Sequence, residues 1–219
     1  MYRLPLGAVI FDYGEVLSQP ANAIAHRELI ETSGLPEEIF EKYYWAYRLD
    51  YDASILNGRT YWEKVASDAG TRFSSQQVDR LIALDMRMWM DINEPMLSWA
   101  LEIQRFGLRI GILSNMGEDV LRGMRQDFPW LQKFDALIWS CELGIVKPDP
   151  AIYEHAIGRL GVEAPEALFL DNLEVNVTAA QKTGLQSIVF KDIVQLGRDI
   201  RAHEYDLPDP APDIDLEES

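Results

Sequence analysis

Three short apolar segments of the sequence each end in a polar residue that could do chemistry. The segments are residues 8–11, 108–113 and 167–170, and the residues that follow them are Asp12, Ser114 and Asp171. Continuous apolar runs of this length are typical of parallel strands that are buried on both faces. Ligands bind at the carboxyl ends of such strands, so we expect the three side chains to converge there. Two carboxylates and a hydroxyl in one crevice could bind a divalent cation, attack an electrophile, or do both.

The elements that must position these residues form a regular alternation from about residue 95 onward. Weaker apolar runs at 136–140 and 186–190 predict two more strands. Helices are predicted over 95–106, 151–160 and 174–183, and each is followed by a glycine that suits a left-handed helix end. Asp149 and Pro150 suit the start of the second of these helices. The alternation predicts an α/β fold with a doubly wound, Rossmann-like parallel sheet.

Residues 18–92 differ from the rest, because their apolar residues recur at helical spacing and no strand pattern is convincing. We interpret them as a helical insertion between the first strand and the remainder of the sheet. The insertion is rich in aromatic residues: Tyr43, Tyr44, Trp45, Tyr47, Tyr51, Tyr61 and Trp62. These could form a surface that binds a sugar or a ring, but at this spacing the core of a small helical domain is favoured.

Composition limits the class of partner. The 219 residues include 36 acidic against 20 basic side chains, a formal net charge of −16. This acidity disfavours nucleic acid and anionic membrane surfaces, because both would be repelled. Cys141 is the single cysteine, no apolar run approaches the ~18 residues of a membrane span, and the N-terminus lacks the pattern of a secretory signal. We expect a cytoplasmic protein, and leave monomer and homodimer open.

The C-terminal segment carries much of this charge. Seven acidic residues and no lysine or arginine lie between Glu204 and Ser219, together with three prolines. Such a segment buries little apolar surface, so we predict a disordered acidic tail over 202–219.

Four segments in order resemble the motifs of the haloacid dehalogenase superfamily. They are FDYGEVL at 11–17, LSN at 113–115, GIVKPDP at 144–150 and FLDNLEVN at 169–176. The resemblance implies an α/β core formed by residues 1–17 and 93–201, with 18–92 as the small helical cap that covers the site and selects the substrate. Members with this arrangement include sugar-1-phosphate phosphatases and the N-terminal phosphatase domain of epoxide hydrolases.

The resemblance also implies roles for individual residues. Most members are magnesium-dependent phosphatases that pass through an aspartyl-phosphate, so Asp12 would be the nucleophile. Lys147, Ser114 and Asn115 would bind the phosphate. Mg²⁺ would be held by the Asp12 carboxylate, the Gly14 carbonyl, Asp171 and Asn172. In the cap, Arg48 and Arg59 are the cations that we expect to contact substrate.

The sequence departs from the family pattern at two positions. Gly14 stands where most members have a second aspartate that protonates the leaving group, although sugar-1-phosphate phosphatases also carry glycine there. Glu15 could take over the proton transfer, as could water or a cap residue. Asn172 stands where a carboxylate usually binds the metal, and its amide oxygen brings one negative charge fewer.

These observations favour a Mg²⁺-dependent phosphomonoesterase acting on a small phosphorylated metabolite. Gly14 and Asn172 keep open a protein that binds a phosphorylated ligand without efficient turnover. A 2-haloacid dehalogenase ranks lower, because Tyr13 stands one position too early for that group's pattern.

Overall fold

The computed structural model describes residues 5–211, and a five-stranded parallel sheet lies at its centre. The strands are β1 (Ala8–Phe11), β2 (Arg109–Ser114), β3 (Ala136–Trp139), β4 (Ala167–Asp171) and β5 (Gln186–Val189). Their order is β3-β2-β1-β4-β5, and every neighbouring pair is parallel. The chain therefore winds outward from β1 in both directions, which confirms the predicted doubly wound α/β fold and opens a crevice at the carboxyl ends of the central strands.

After β1 the chain forms a wide turn, Tyr13–Leu17, and then an insertion of five helices. These are α1 (Ala23–Ser33), α2 (Glu37–Ala46), α3 (Arg48–Asp52), α4 (Gly58–Asp68) and α5 (Ser75–Met88). Side chains of Asn22, Asn57 and Ser74 accept hydrogen bonds from the first backbone N–H groups of α1, α4 and α5, so local sequence fixes these starts. An isolated antiparallel bridge between Ser18 and Ile92 joins the two ends of this insertion.

The five helices enclose an apolar cluster of their own. Tyr44, Tyr51, Tyr61 and Trp62 are buried in it, which confirms the core interpretation for these aromatic residues. Trp45 differs, since 53% of it is exposed.

The remaining helices pack on the two faces of the sheet. They are α6 (Glu94–Phe106), α7 (Glu118–Asp127), α8 (Ser140–Leu143), α9 (Pro150–Leu160), α10 (Glu174–Lys182) and α11 (Ile193–Ala202), with single 3₁₀ turns at Pro129–Lys133 and Ala164–Glu166. Successive β1 residues alternate between the two apolar layers: Val9 and Phe11 enter one, Ala8 and Ile10 the other. The central strand is thus buried on both faces, which explains its unbroken apolar sequence. Within residues 5–211, no helix combines the length and hydropathy needed to span a membrane.

The acidic C-terminal segment is described as far as residue 211. There Trp99 Nε1 donates a hydrogen bond to the Pro208 carbonyl at 2.9 Å. Tyr205 and Leu207 pack against the sheet's apolar layer, and Ala211 is buried. This part differs from the disordered tail that we predicted, because its few apolar residues find a complementary surface on the core. Residues 212–219 lie outside the described residues.

Candidate active site

The carboxyl ends of β1 and β4 hold two buried carboxylates joined by one lysine. Lys147 Nζ lies 2.9 Å from Asp12 Oδ1 and 2.6 Å from Asp171 Oδ2. Asp12 directly follows β1, and its N–H donates to the Leu170 carbonyl of β4 at 2.8 Å. All three side chains are at least nine-tenths buried. The crevice therefore holds two carboxyl groups and one ammonium group that are almost completely removed from solvent.

Asp171 is fully engaged by protein donors. Its Oδ1 accepts from the Leu173 N–H at 2.8 Å, and Asn176 Nδ2 lies 3.1 and 3.0 Å from its two oxygens. Lys147 supplies a further bond at 2.6 Å. These contacts fix Asp171 as the residue that orients Lys147 beside Asp12.

Burial sets the protonation of this cluster. It raises the pKa of Asp12, with Asp171 adding to the rise, while Lys147 and the Ser114 hydroxyl act in the opposite direction. Burial alone would lower the pKa of Lys147, but Asp12 and Asp171 outweigh it and raise that pKa. Lys147 is therefore a fixed cation, and its charge is what keeps a carboxylate at Asp12 tolerable.

The residues after β2 position the lysine from a second side. Asn115 Nδ2 donates to the Lys147 carbonyl at 2.9 Å, and the Lys147 N–H donates to Asn115 Oδ1 at 2.7 Å. Both polar groups of this amide are thus committed to the main chain of Lys147. Ser114, buried at the end of β2, lines the same cavity. The Asn115 side chain therefore positions the main chain of Lys147, and the contact of Asn115 with phosphate stays a prediction.

The wide turn after Asp12 brings two predicted site residues together. Glu15 has φ of 57°, a conformation that residues other than glycine rarely adopt. Asn172, in the loop after β4, donates from Nδ2 to Glu15 Oε2 at 3.1 Å. Gly14, between Asp12 and Glu15, has an ordinary φ of −62°. Asn172 stands where the family pattern has an acidic residue, and the exposed carboxylate of Glu15 lies beside its amide.

A cavity of about 370 Å³ lies over this cluster and is lined from both the core and the cap. Asp12, Gly14, Glu15, Ser114, Asn115, Lys147 and Asn172 all line it, as does Arg48. The structure therefore brings together every predicted site residue except Arg59, with Asp171 beneath the cavity floor in contact with Lys147. Arg59 pairs instead with Asp79 on the cap surface, at 2.6 Å and largely exposed.

Arg48 reaches the cavity, but it is already paired. Its Nη1 donates to both oxygens of Asp85, at 2.9 and 3.0 Å, and its Nε lies 3.2 Å from Asp52 Oδ1. Tyr44 donates its hydroxyl to the same Asp85 at 2.6 Å. Arg48 thus lines the cavity, where we expected it to contact substrate, and two buried carboxylates pair with its guanidinium.

Two hydrogen bonds join the end of α3, in the helical insertion, to the core. The Tyr51 hydroxyl donates to Asp119 Oδ2 at 2.9 Å, and the Ser140 hydroxyl donates to the Asp52 carbonyl at 2.7 Å. The Tyr51 ring lies so close to Gly117 that a Cβ there would approach it to 2.4 Å. Glycine at 117 thus leaves the room that the Tyr51 ring needs at this contact.

Sequence reasoning missed three residues of the site region. Asp52 and Asp85 are carboxylates buried in the cap, and Asn176 is the amide that holds Asp171. Asn176 lay within the fourth motif, five residues after Asp171, so its place in the first turn of α10 was a usable signal. Asp52 lies four residues after Arg48, the spacing of a helical ion pair. Asp85 offered no local signal, because its partner lies 37 residues away.

Comparison with known families decides the class of protein. Residues 6–184 match the family model described as haloacid dehalogenase-like hydrolase. The chain is a haloacid dehalogenase-like hydrolase. This confirms the predicted family and enzyme class.

Relatives of this hydrolase include proteins that are named as phosphatases. A protein named phosphatase MT3486, from Mycobacterium tuberculosis, is 27% identical over 188 residues, which cover 84% of this chain and 87% of that protein. Bifunctional epoxide hydrolase 2 of Sus scrofa is 27% identical over 205 residues, which cover 86% of this chain. The match covers only 37% of the epoxide hydrolase, so the chain corresponds to little more than a third of that longer protein.

A solved structure shares the fold of this hydrolase. A haloacid dehalogenase family enzyme from Bacteroides thetaiotaomicron, crystallised with magnesium and inorganic phosphate, superposes with a TM-score of 0.72 at 20% identity. The superposition covers 87% of this chain and 98% of the other. It confirms that the sheet and its helices form the fold of this family.

Proposed function

We propose that this hydrolase is a Mg²⁺-dependent phosphomonoesterase that acts on a small phosphorylated metabolite through an aspartyl-phosphate on Asp12. The observation that carries the proposal is the buried Lys147 held between Asp12 and Asp171 at the floor of a cavity. A carboxylate that attacks a phosphate dianion needs a fixed cation beside it, and Lys147 is placed to supply one. The named phosphatase among the relatives supports the same reaction class.

The residues present fit a magnesium ion. Asp12, the Gly14 carbonyl and the Asn172 amide offer hard oxygen donors of the kind that Mg²⁺ prefers, and all three residues line the cavity. When both carboxyl groups are ionised, their two negative charges exceed the one positive charge of Lys147. We propose Asp12, Gly14 and Asn172 as the residues that hold the ion, with Asp171 acting through Lys147. Bound Mg²⁺ would neutralise charge on the phosphoryl oxygens.

Glu15 restores a negative charge near the metal-binding residues. Its carboxylate contacts the Asn172 amide, and it stands there in a backbone conformation that costs about 1 kcal/mol or more. We propose that Glu15 supplies the charge that asparagine at 172 lacks. Protonation of the leaving group, the role expected for Glu15 from the sequence, is the alternative for the same side chain.

The chain's own residues then divide the reaction into two steps. Asp12 forms a bond to phosphorus as the bond from phosphorus to the ester oxygen breaks, and the departing alkoxide takes a proton from water or from Glu15. Lys147 and Ser114 hold the phosphoryl oxygens during this transfer. Water next cleaves the aspartyl-phosphate, which releases inorganic phosphate and regenerates the Asp12 carboxylate. The cap, closed through Tyr51 and Asp52, limits the access of bulk water.

The test is phosphate release from a panel of sugar, nucleotide and alkyl monophosphates with and without Mg²⁺. We expect Mg²⁺-dependent release that Asp12→Asn abolishes and that Asp79→Asn, a change on the cap surface, leaves intact. A rise in melting temperature with phosphate, but no release from any monoester, would favour a binding protein without turnover. Halide release from a 2-haloacid would favour the dehalogenase.

A further inference from the structure

The cavity wall above the catalytic cluster is mainly apolar. Beyond the groups already assigned, its side chains include Trp45, Leu49, Trp89, Met116, Val120 and Leu173. They come from the cap as well as from the core, so both parts of the chain contribute to the same surface. The volume of about 370 Å³ lies in the range of small-molecule sites.

Three of these residues are large, apolar and about half exposed. Trp45 is 53% exposed, Leu49 54% and Leu173 51%, and they belong to three different segments of the chain. A single exposed apolar side chain is ordinary on a protein surface. Three that converge on one cavity leave apolar area uncovered at the place where a substrate would lie, which is typical of a binding surface.

The cations of the wall leave little for a second anionic group on the substrate, because Lys147 is assigned to the phosphate and Arg48 is paired with two carboxylates. Of the cavity-lining residues within 5–211, two are cations, Lys147 and Arg48. Lys147 pairs with Asp12 and Asp171, and Arg48 pairs with Asp85 and Asp52. A carboxylate or second phosphate on the substrate would lose its hydration and find no free cation in exchange. A sugar would bury several hydroxyl groups against tryptophan and leucine side chains, and each group without a partner has a desolvation cost.

We propose that the substrate is a phosphate monoester of an uncharged, mainly apolar alcohol, with an alkyl or aryl group that packs against Trp45, Leu49 and Leu173. This inference rests on the proposed function, since the phosphate is assigned to the site of Asp12 and Lys147. The apolar group, in contrast, is assigned by the wall alone. Contact with a hydrocarbon chain removes both apolar surfaces from water, which strengthens binding with each methylene covered.

Binding of non-hydrolysable phosphonates tests the proposal without requiring turnover. Calorimetry in Mg²⁺ compares n-hexylphosphonate with methylphosphonate, which share the headgroup and differ in the chain. We expect hexylphosphonate to bind at least about tenfold more tightly. Leu49→Ala and Trp45→Ala should each reduce that ratio, whereas Ile24→Ala, a change at an exposed apolar residue of α1 that does not line the cavity, should not.

A comparison of hydrolysis rates for two phosphate esters is the second part of the test. n-Hexyl phosphate and glucose 6-phosphate are both primary alkyl esters, so their leaving groups are comparable. We expect kcat/KM for hexyl phosphate to exceed that for glucose 6-phosphate by at least about tenfold. Equal affinity of the two phosphonates, an unchanged ratio in both cavity variants, or preference for the sugar ester would overturn the proposal. Tight binding of hexylphosphonate with no release from any ester would instead overturn the proposed function and leave the apolar site standing.

Discussion

Asn172 donates a hydrogen bond from Nδ2 to Oε2 of Glu15 over 3.1 Å, and this contact joins residues 157 positions apart in the chain. It links the loop after β4 to the wide turn after β1, the two segments that border the proposed metal site. Each residue taken alone is unexpected: an amide in place of a carboxylate, and a non-glycine residue at positive φ. Of these two residues that border the proposed metal site, Glu15 is the one that carries a carboxylate.

Removal of the Glu15 charge should weaken Mg²⁺ binding. We expect Glu15→Gln to raise the Kd for Mg²⁺ by about tenfold, because one nearby negative charge is lost. Introducing Asn172→Asp into that variant should restore the affinity. Calorimetric titration with Mg²⁺ measures both, with Glu174→Gln, a nearby exposed carboxylate on α10, as the control.

If Glu15 instead protonates the leaving group, Glu15→Gln should slow hydrolysis and leave Mg²⁺ binding unchanged. A proton donor matters for poor leaving groups such as hexanol and little for p-nitrophenol. Unchanged Mg²⁺ affinity in Glu15→Gln, with slower hydrolysis of hexyl phosphate alone, would assign proton transfer to Glu15 and contradict the metal-site role.

Gly14 can accept the carboxylate that most relatives carry. Its φ of −62° suits any residue, and a Cβ built there meets no atom within 4 Å. We therefore expect Gly14→Asp to fold and to speed the hydrolysis of hexyl phosphate by on the order of 100-fold, through protonation of the leaving group. The rate for p-nitrophenyl phosphate should change little.

Gly14→Asn is the matched control for this change, because it has the same shape and cannot deliver the proton. Equal rates for the Asp and Asn variants would show that a general acid is not what the site lacks. Unfolding in urea, measured for both variants, separates a catalytic effect from a loss of stability.

The sheet and its catalytic edge could be predicted from the sequence because their signals are local. An unbroken apolar run followed by Asp12 or Asp171 can be recognised in the sequence without knowing which residues pack against it. The pairing of Arg48 with Asp85 is not, since it depends on how α3 meets α5. The same holds for the C-terminal segment: its composition indicates disorder, yet the carbonyl of Pro208 meets Trp99 on a surface that forms only after folding.

Asn115 should act on phosphate binding through Lys147. Its amide makes two bonds to the lysine main chain, so Asn115→Ala frees the segment that carries Nζ. We expect affinity for inorganic phosphate to fall by about tenfold, with a loss of unfolding free energy of about 1–3 kcal/mol. Asn115→Asp keeps the acceptor for the Lys147 N–H, so its phosphate affinity should lie between those of the wild type and Asn115→Ala.

Asn22→Ala, which removes a partly buried helix cap on α1, controls for a general loss of stability. It should lower the unfolding free energy by about 1 kcal/mol and leave phosphate affinity unchanged. Phosphate affinity that follows stability across all three variants would contradict a specific effect on Lys147.

The buried carboxylate of Asp52 should make stability depend on pH. Burial raises its pKa from 3.8 to about 6, although Arg48 acts in the opposite direction. The folded protein therefore binds this proton more tightly than the unfolded chain does. Its contribution to the free energy of unfolding is fully present below about pH 4 and declines as the pH rises through about 6.

Asp52→Asn removes that proton equilibrium. We expect the difference in unfolding free energy, variant minus wild type, to increase with pH between 4 and 7, by about 3 kcal/mol at most. Urea titrations at pH 4, 5, 6 and 7 measure the difference, with the exposed Asp79→Asn expected to give a flat line. A flat line for Asp52→Asn as well would show that its ion pair with Arg48 compensates for burial, because the carboxyl would then titrate equally in the folded and unfolded states.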